Sequence, residues 1–315
     1  MKKLVSILIA GAMLMLNCVS SMAAFTDMPE GNDGIVLQRA VDNGLIQGFE
    51  DGTVQPATPI TRAQMATIMS RAMNASDMAD LSAFSDVNSA DWFYEAMSKA
   101  VAMEAFKGDD KSKLNPNNTI TRQEAMIVLC RIFDMKQSDD YTMLNAFPDS
   151  NDVASWALKE VNAVVSGGYL EGVSDIRPFQ PMTRLEFAQI MDKIVNQYID
   201  EDGEYTSVTG NVLVRAQNVK FTGVKCANIY TGDGVTGNIE FTDCDAKDVI
   251  IRGGIAVVNS GAYERIRAIG GNTKIQLKVS AGSVLKTLAD GKKGNVYAKP
   301  GKGIVSLPVE EIEIK

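Results

Sequence analysis

The chain contains no histidine. That absence removes Ser-His and Cys-His nucleophiles and histidine-ligated metal centres, and leaves carboxylates as the main acid-base groups. Cysteine is scarce: Cys18 lies in the apolar N-terminal stretch, and the other three, Cys130, Cys226 and Cys244, are an odd set rather than a disulfide framework. A Cys226–Cys244 bridge and buried free thiols are both open readings. Basic charge is in deficit, with 31 Lys and Arg against 39 Asp and Glu, net -8, which argues against nucleic acid as a general partner. No apolar run beyond the N-terminus is long enough to cross a bilayer. What is present is ordinary for a folded protein: 45% hydrophobic and 22% charged residues over 315 positions, enough for about two domains.

The N-terminus reads as an export signal over residues 1–23. Lys2 and Lys3 precede an apolar run from Leu4 to Leu16, and Ser21-Met22-Ala23-Ala24 supplies small residues for cleavage after Ala23. The run is short for a membrane span, so no membrane association is expected after cleavage.

Two composition regimes follow. Residues 25–199 hold 25 acids, 14 bases and 12 Met; residues 200–315 hold 14 acids, 15 bases and no Met, with many more Gly. All of the acidity therefore belongs to the first part. The change falls at Asp200-Glu201-Asp202-Gly203-Glu204, read as a linker over 200–206.

The first part is an internal triplicate over 25–76, 84–136 and 147–199. Phe-x-Asp occurs at Phe25/Asp27, Phe84/Asp86 and Phe147/Asp149. Thr-Arg-x-Gln/Glu occurs at Thr61-Arg62-Ala63-Gln64, Thr121-Arg122-Gln123-Glu124 and Thr183-Arg184-Leu185-Glu186. The Phe-to-Thr spacing is 36, 37 and 36; Pro56, Pro116 and Pro178 lie five residues before each Thr, with Gly48, Gly108 and Gly172 further upstream. Apolar residues at three- and four-residue intervals place a helix before and after each loop. Each unit is too small to bury its apolar face alone, so the three are expected to share one core.

Thr61, Thr121 and Thr183 read as N-caps, with Gln64, Glu124 and Glu186 closing capping boxes. The arginine in each motif is not explained by capping. Arg62, Arg122 and Arg184 fall at the first helical position, where the helix dipole is positive and a cation is unfavourable. An anion resolves the conflict. It is either a ligand held by the guanidinium and the free helix-start N–H groups, or an acid of the protein such as Asp27, Asp86 or Asp149.

These motifs, with the loop Gly48-Phe49-Glu50-Asp51-Gly52-Thr53 and Ile60-Thr61-Arg62-Ala63-Gln64, resemble the surface-layer homology (SLH) domain. The resemblance covers about residues 25–199. It implies a pseudo-threefold helical unit that attaches an exported protein to the wall of a Gram-positive-type envelope. It implies as ligand a secondary cell-wall polysaccharide, a peptidoglycan-linked glycan often bearing a pyruvate ketal, whose carboxylate would meet Arg62, Arg122 and Arg184. Asp27, Asp86 and Asp149 and the loop residues Gly48, Gly108 and Gly172 join the candidate binding set. So do Trp92 and Trp156, at the helix-start position where the family often carries Trp and where core packing is the competing role. The first copy has Asp33-Gly34 there instead. Neighbouring surface-layer molecules are further candidate partners, and no cofactor or metal is implied.

The second part, 207–315, carries short strands with a weaker repeat. Asn218-Val219-Lys220-Phe221-Thr222 recurs as Asn238-Ile239-Glu240-Phe241-Thr242, and Ile229-Tyr230 as Val249-Ile250, both 20 residues on. Further strands are expected at Ile275–Val279 and Ile304–Leu307. The pattern predicts an all-β module, a short right-handed parallel β-helix resembling those that follow SLH triplets, with a β-sandwich as the competing fold. Asp243, Asp245 and Asp248 near Arg252 are the place to look for Ca²⁺ binding or acid-base chemistry on polysaccharide, and solvated turn residues are the alternative. The expected role is anchoring and display. A wall-anchored enzyme is the alternative, and a lattice-forming subunit a third reading.

Overall fold

A computed structural model describes residues 25–269 and the backbone of three further strands, 274–277, 285–286 and 295–298. The export-signal segment 1–23 and the strand expected at Ile304–Leu307 lie outside the described residues.

Each repeat supplies two helices: α1 Gly31–Asp42 and α2 Arg62–Ala72, α3 Tyr94–Ala102 and α4 Arg122–Ile132, α5 Leu158–Ser166 and α6 Arg184–Ile194. The second helix of each repeat starts on a complete capping box, at Thr61/Gln64, Thr121/Glu124 and Thr183/Glu186. The helices pair between repeats. α3 packs on α2, α5 on α4, and α1 on α6, which closes the ring.

The chain just before each second helix closes a smaller ring. Ile60 N–H donates to Met182 O (2.9 Å), Met182 N–H to Ile120 O (2.9 Å), and Ile120 N–H to Ile60 O (3.0 Å). All three side chains are fully buried. Buried amides must find partners, and here each finds one in another repeat, so no repeat is complete alone.

The second part is a parallel solenoid. Strands β1 Gln197–Ile199, β3 Val212–Val214, β5 Lys225–Thr231, β7 Cys244–Ile251 and β9 Gly261–Ala268 form one sheet in that order. Strands β11 Leu285–Lys286 and β12 Asn295–Ala298 both pair with β9. The other sheet runs β2 Gly203–Tyr205, β4 Val219–Thr222, β6 Asn238–Thr242, β8 Ile255–Val258 and β10 Lys274–Leu277. Every strand pairing among the described residues is parallel, which excludes the β-sandwich. Side chains repeat coil over coil: Val212, Ile229, Val249 and Ile266 stack in register and are buried, and Phe221 stacks on Phe241 at 5.6 Å.

The segment read as a linker is the first turn of this solenoid. α6 runs almost directly into β1, and β2 pairs with β4. The acidic residues serve corner bonds: Asp202 accepts Gln217 and Asn218 N–H at 2.8 Å each, and Asp200 pairs with Arg215. Cys226 lies in register with Ala246 and Cys244 with Gly261, so the two cysteines do not stack. Both are free, as is Cys130. Burial pushes the Cys130 and Cys226 thiols up to about 12, so they stay protonated at neutral pH.

The solenoid lies against the helical ring. Leu213, Tyr230 and Ile250, in register on the outer face of the larger sheet, belong to the same core as the helices, and Tyr230 meets Phe133 edge to face at 4.9 Å. Solenoid donors also reach the helix C-termini. Arg252 donates to Met103 O (3.0 Å) and Ile132 O (3.2 Å), Arg215 to Asn43 O (3.0 Å), and Gly234 N–H to Met73 O (3.3 Å). A Cβ on Gly234 would lie 1.8 Å from Asn74 O, so this contact requires glycine.

Candidate functional site

The three conserved-spacing motifs meet at the three junctions between repeats. Within a repeat, the Asp of Phe-x-Asp holds the loop that leads to the second helix. Asp27 accepts Val54 and Gln55 N–H (2.7 and 2.8 Å), Asp86 accepts Leu114 and Asn115 N–H (2.9 and 2.7 Å), and Asp149 accepts Ile176 and Arg177 N–H (2.9 and 2.6 Å). Each pair ends on a residue with positive φ: Gln55 at 47°, Asn115 at 53° and Arg177 at 52°. L-residues resist that conformation, and two bonds to one carboxylate hold it in place.

The motif arginine of the neighbouring repeat then takes the carbonyl of the same loop residue. Arg62 Nε donates to Leu114 O (2.8 Å), Arg122 Nε to Ile176 O (2.6 Å) and Arg184 Nε to Val54 O (2.7 Å). Beyond that bond the junctions differ. Arg62 Nη1 pairs with Glu124 at 3.2 Å, and Arg122 Nη1 with Glu186 at 2.9 Å. Arg184 has no carboxylate partner among the described residues: Gln64 stands where the other junctions have Glu124 and Glu186. Its Nη2 donates to Gln47 O, and its guanidinium lies over the Phe49 ring at 4.9 Å.

Burial lowers the pKa of all three arginines; Glu124 opposes this at Arg62, Glu186 at Arg122, and only Asp27 at Arg184. Burial pushes the Glu186 carboxyl up, but the Thr183 N–H, Arg122 and Arg177 together hold it below its ordinary 4.5. Arg177 shares that carboxylate at 2.6 Å.

The helix starts offer no free amides. Arg62 and Ala63 N–H donate to Asn118 and Pro116 O, Arg122 and Gln123 N–H to Gln180 and Pro178 O, and Arg184 and Leu185 N–H to Thr58 and Pro56 O. The third N–H of each helix goes to the Thr cap. A ligand would therefore meet side chains, not the helix-start backbone.

The other candidates divide. Trp92 and Trp156 are 68% and 61% exposed, which removes the core-packing alternative. Ala154 N–H donates to Gln123 Oε1 (3.1 Å), so the segment leading to Trp156 lies beside the start of α4. Gly48 and Gly108 are packing positions: a Cβ would meet the Phe25 ring at 2.0 Å and the Phe84 ring at 2.4 Å. Gly172 is a left-handed turn residue at φ 79°.

A cleft of about 320 Å³ opens beside Arg122, lined also by Arg177, Lys193, Tyr169, Gln189 and Asn32. Sequence reasoning missed Lys193, yet a signal existed: Arg71, Arg131 and Lys193 each lie nine residues after a motif arginine. A base in the last helical turn is ordinary for dipole reasons, which hid the repeat. The cleft sets Arg122, Arg177 and Lys193 beside Glu171, Glu186 and Asp192, together with Tyr169, a mixed charged, polar and aromatic surface suited to a sugar.

In the solenoid the acids do not converge. Asp243 accepts Ser260 Oγ at 2.6 Å, Asp245 meets Lys225 at 3.5 Å, and Asp248 pairs with Arg265 at 2.7 Å. Arg252 turns to the helices and Asp233. No group of acids or thiols spaced to hold a metal ion occurs among the described residues.

The S-layer homology domain family matches residues 24–66, 83–126 and 146–188. Among similar proteins, the surface-layer 125 kDa protein of Lysinibacillus sphaericus is 31% identical over 164 residues, 50% of this chain and 14% of that protein. S-layer protein EA1 of Bacillus anthracis is 25% identical over 308 residues, 92% of this chain and 35% of that protein. Exoglucanase XynX of Acetivibrio thermocellus is 26% identical over 171 residues, 53% of this chain and 16% of that protein. The chain thus spans well under two thirds of the length of each.

Proposed function

We propose, because the chain carries three tandem S-layer homology domains, that it is an exported surface protein held non-covalently on the cell wall. In this reading residues 1–23 are a cleaved signal. The repeats at 25–76, 84–136 and 147–199 grip a secondary wall polysaccharide in the clefts between them. The solenoid that follows is displayed outward or contributes contacts to surface-layer neighbours.

The observation that carries this is the cleft of about 320 Å³ beside Arg122, of sugar size and lined by Arg177 and Lys193 as well. The exposed rings of Trp92 and Trp156 support it, since each offers water a flat apolar face on which a sugar ring can stack.

The test must avoid the buried arginines, because they also hold the repeats together. Trp92→Ala with Trp156→Ala changes only exposed groups. The double variant should fold with an unchanged melting temperature and lose retention on purified wall sacculi. Retention equal to the parent protein would refute the assignment of these rings. Equal retention on sacculi stripped of secondary polymer would refute the polymer as ligand.

A further inference from the structure

The first helix of every repeat ends in the same way. A residue with positive φ stops it, Gly44 at 73°, Glu104 at 59° and Gly168 at 78°, and the next residue turns back into the molecule. In the first two repeats that next residue is Leu45 or Ala105, both buried and without a polar group on the side chain. In the third it is Tyr169, 9% exposed. Its ring is seated on Gly167, where a Cβ would lie 2.4 Å from the ring edge.

Tyr169 faces two parts of the molecule. It opens the segment 169–173, every residue of which lines the cleft of about 320 Å³. Short bonds shape that wall, Glu171 N–H to Gly168 O (3.1 Å) and Val173 N–H to Leu170 O (3.0 Å), and Lys193 of α6 donates to Glu171 O. The Tyr169 hydroxyl meets the solenoid. Asn228 Nδ2 of β5 donates to it at 3.5 Å, and the Tyr230 hydroxyl of the same strand bonds to it. Both partners are fixed in turn: Asn211 Oδ1 accepts Asn228 N–H (3.2 Å), and the Tyr230 ring meets Phe133 at 4.9 Å. A buried hydroxyl that loses its partners is costly, so the start of the wall sits where the solenoid holds it.

We infer that the solenoid is a working part of the glycan cleft, and that Tyr169 is the positioning residue through which it sets the wall at 169–173. Asn228 does not line the cleft, so its influence on binding passes through Tyr169. This rests on the reading of the cleft as the seat of a wall glycan, and it adds that the anchoring and displayed parts are energetically coupled. Leu45 and Ala105 offer no hydroxyl, so this link belongs to the third repeat.

Two substitutions break the link from opposite sides. Tyr169→Phe removes the hydroxyl and keeps the ring; Asn228→Ala removes the solenoid donor. In the full chain each should weaken retention on purified wall sacculi by on the order of five-fold, the worth of one hydrogen bond. The double variant should bind no more weakly than either single one, because both changes break the same link. Arg215→Ala separates positioning from stability. It removes a different bond between solenoid and helix, to Asn43 O. It should lower the melting temperature at least as much as the other two and leave retention unchanged.

With the parent protein retained, the coupling is overturned if neither single variant weakens binding, if only one of them does, if their losses add in the double variant, or if Arg215→Ala loses as much. The anchoring reading then stands. If Tyr169→Phe does not fold, Asn228→Ala set against Arg215→Ala decides the matter. If the parent is not retained at all, both readings fall.

Discussion

Asp86 illustrates how the residue scale works in this protein. Its two oxygens accept two backbone N–H groups 28 and 29 residues away, and the carbonyl of the first of those residues receives Arg62. Charge-assisted bonds of this kind are the stronger ones, and the loop's positive-φ residue depends on them. Asp86→Ala should therefore cost about 2–4 kcal/mol of stability, read by urea unfolding. Asp86→Asn, which keeps one acceptor, should cost less. Glu186 carries a pH dependence. Its folded pKa lies below 4.5, so its stabilisation is complete above that value and is lost as pH falls through the folded pKa. The melting-temperature gap between the parent and Glu186→Gln should be constant near neutral pH and close below about pH 4.5. A gap independent of pH would show that the Arg122–Glu186 pair is not ionic in its effect. At this scale the sequence displayed the motif residues plainly. It did not display their partners, because Asp86 and Arg62 act on a loop far along the chain.

At the scale of elements, the helix starts and the left-handed stops at Gly44 and Gly168 were legible, and the distant partners of the helix ends were not. A capping box is local, spanning Thr121 to Glu124, and it is present in all three second helices. Thr121→Ala should cost about 1 kcal/mol, by thermal or urea unfolding, through its cap alone. The helix ends are served from more than 100 residues away: Arg252 reaches Met103 and Ile132 carbonyls at sequence separations of 149 and 120. A cation there complements the negative helix ends, and Asp233 at 3.3 Å balances it. Arg252→Ala should cost about 3–5 kcal/mol, since Asp233 is left buried and unpaired. Adding Asp233→Ala should restore part of that loss in a double-mutant cycle. The strands show the same contrast. The 20-residue repeat is real where Val219 pairs with Ile239 and Ile229 with Val249, but the next coil pairs Ile239 with Ala256 and Val249 with Ile266. That coil is three residues shorter at the corner, so a search at fixed period loses it while the inward side chains stay in register.

For the whole molecule, the acidic boundary at 200–204 misled because it has the composition of a tether and the job of a corner. The solenoid completes the helical unit. Leu213, Tyr230 and Ile250 join the helical core, and four helices end on solenoid donors. Residues 25–269 should unfold in a single calorimetric transition, with the van't Hoff and calorimetric enthalpies equal. A chain stopped at residue 199 should melt at a lower temperature or aggregate, because it exposes that face. Two separate transitions would show instead that the two parts fold independently. The acidity of the triplet also acquires a meaning at this scale. Net charge acts over about 8–10 Å at physiological salt, whereas Arg122 and Arg184 are buried and Arg62 partly buried at the junctions, so local partners and not the overall charge govern what they meet.

The sequence by itself determined what is local or repeated. It specified the capping boxes, the triplicate with its spacings, the shared helical core and the parallel strands with their inward aliphatic ladder. Each depends on neighbours within a few residues or on a period visible along the chain. Only the tertiary structure decided which carbonyls the arginines hold, that Arg62 and Arg122 meet Glu124 and Glu186 of the next repeat, that Trp92 and Trp156 face water, and that the solenoid is joined to the helices without a tether. Those facts depend on ring closure between repeats and on a sheet with both faces covered. Long-range pairing of this kind leaves no period in the sequence, because its partners are brought together only when the chain closes on itself.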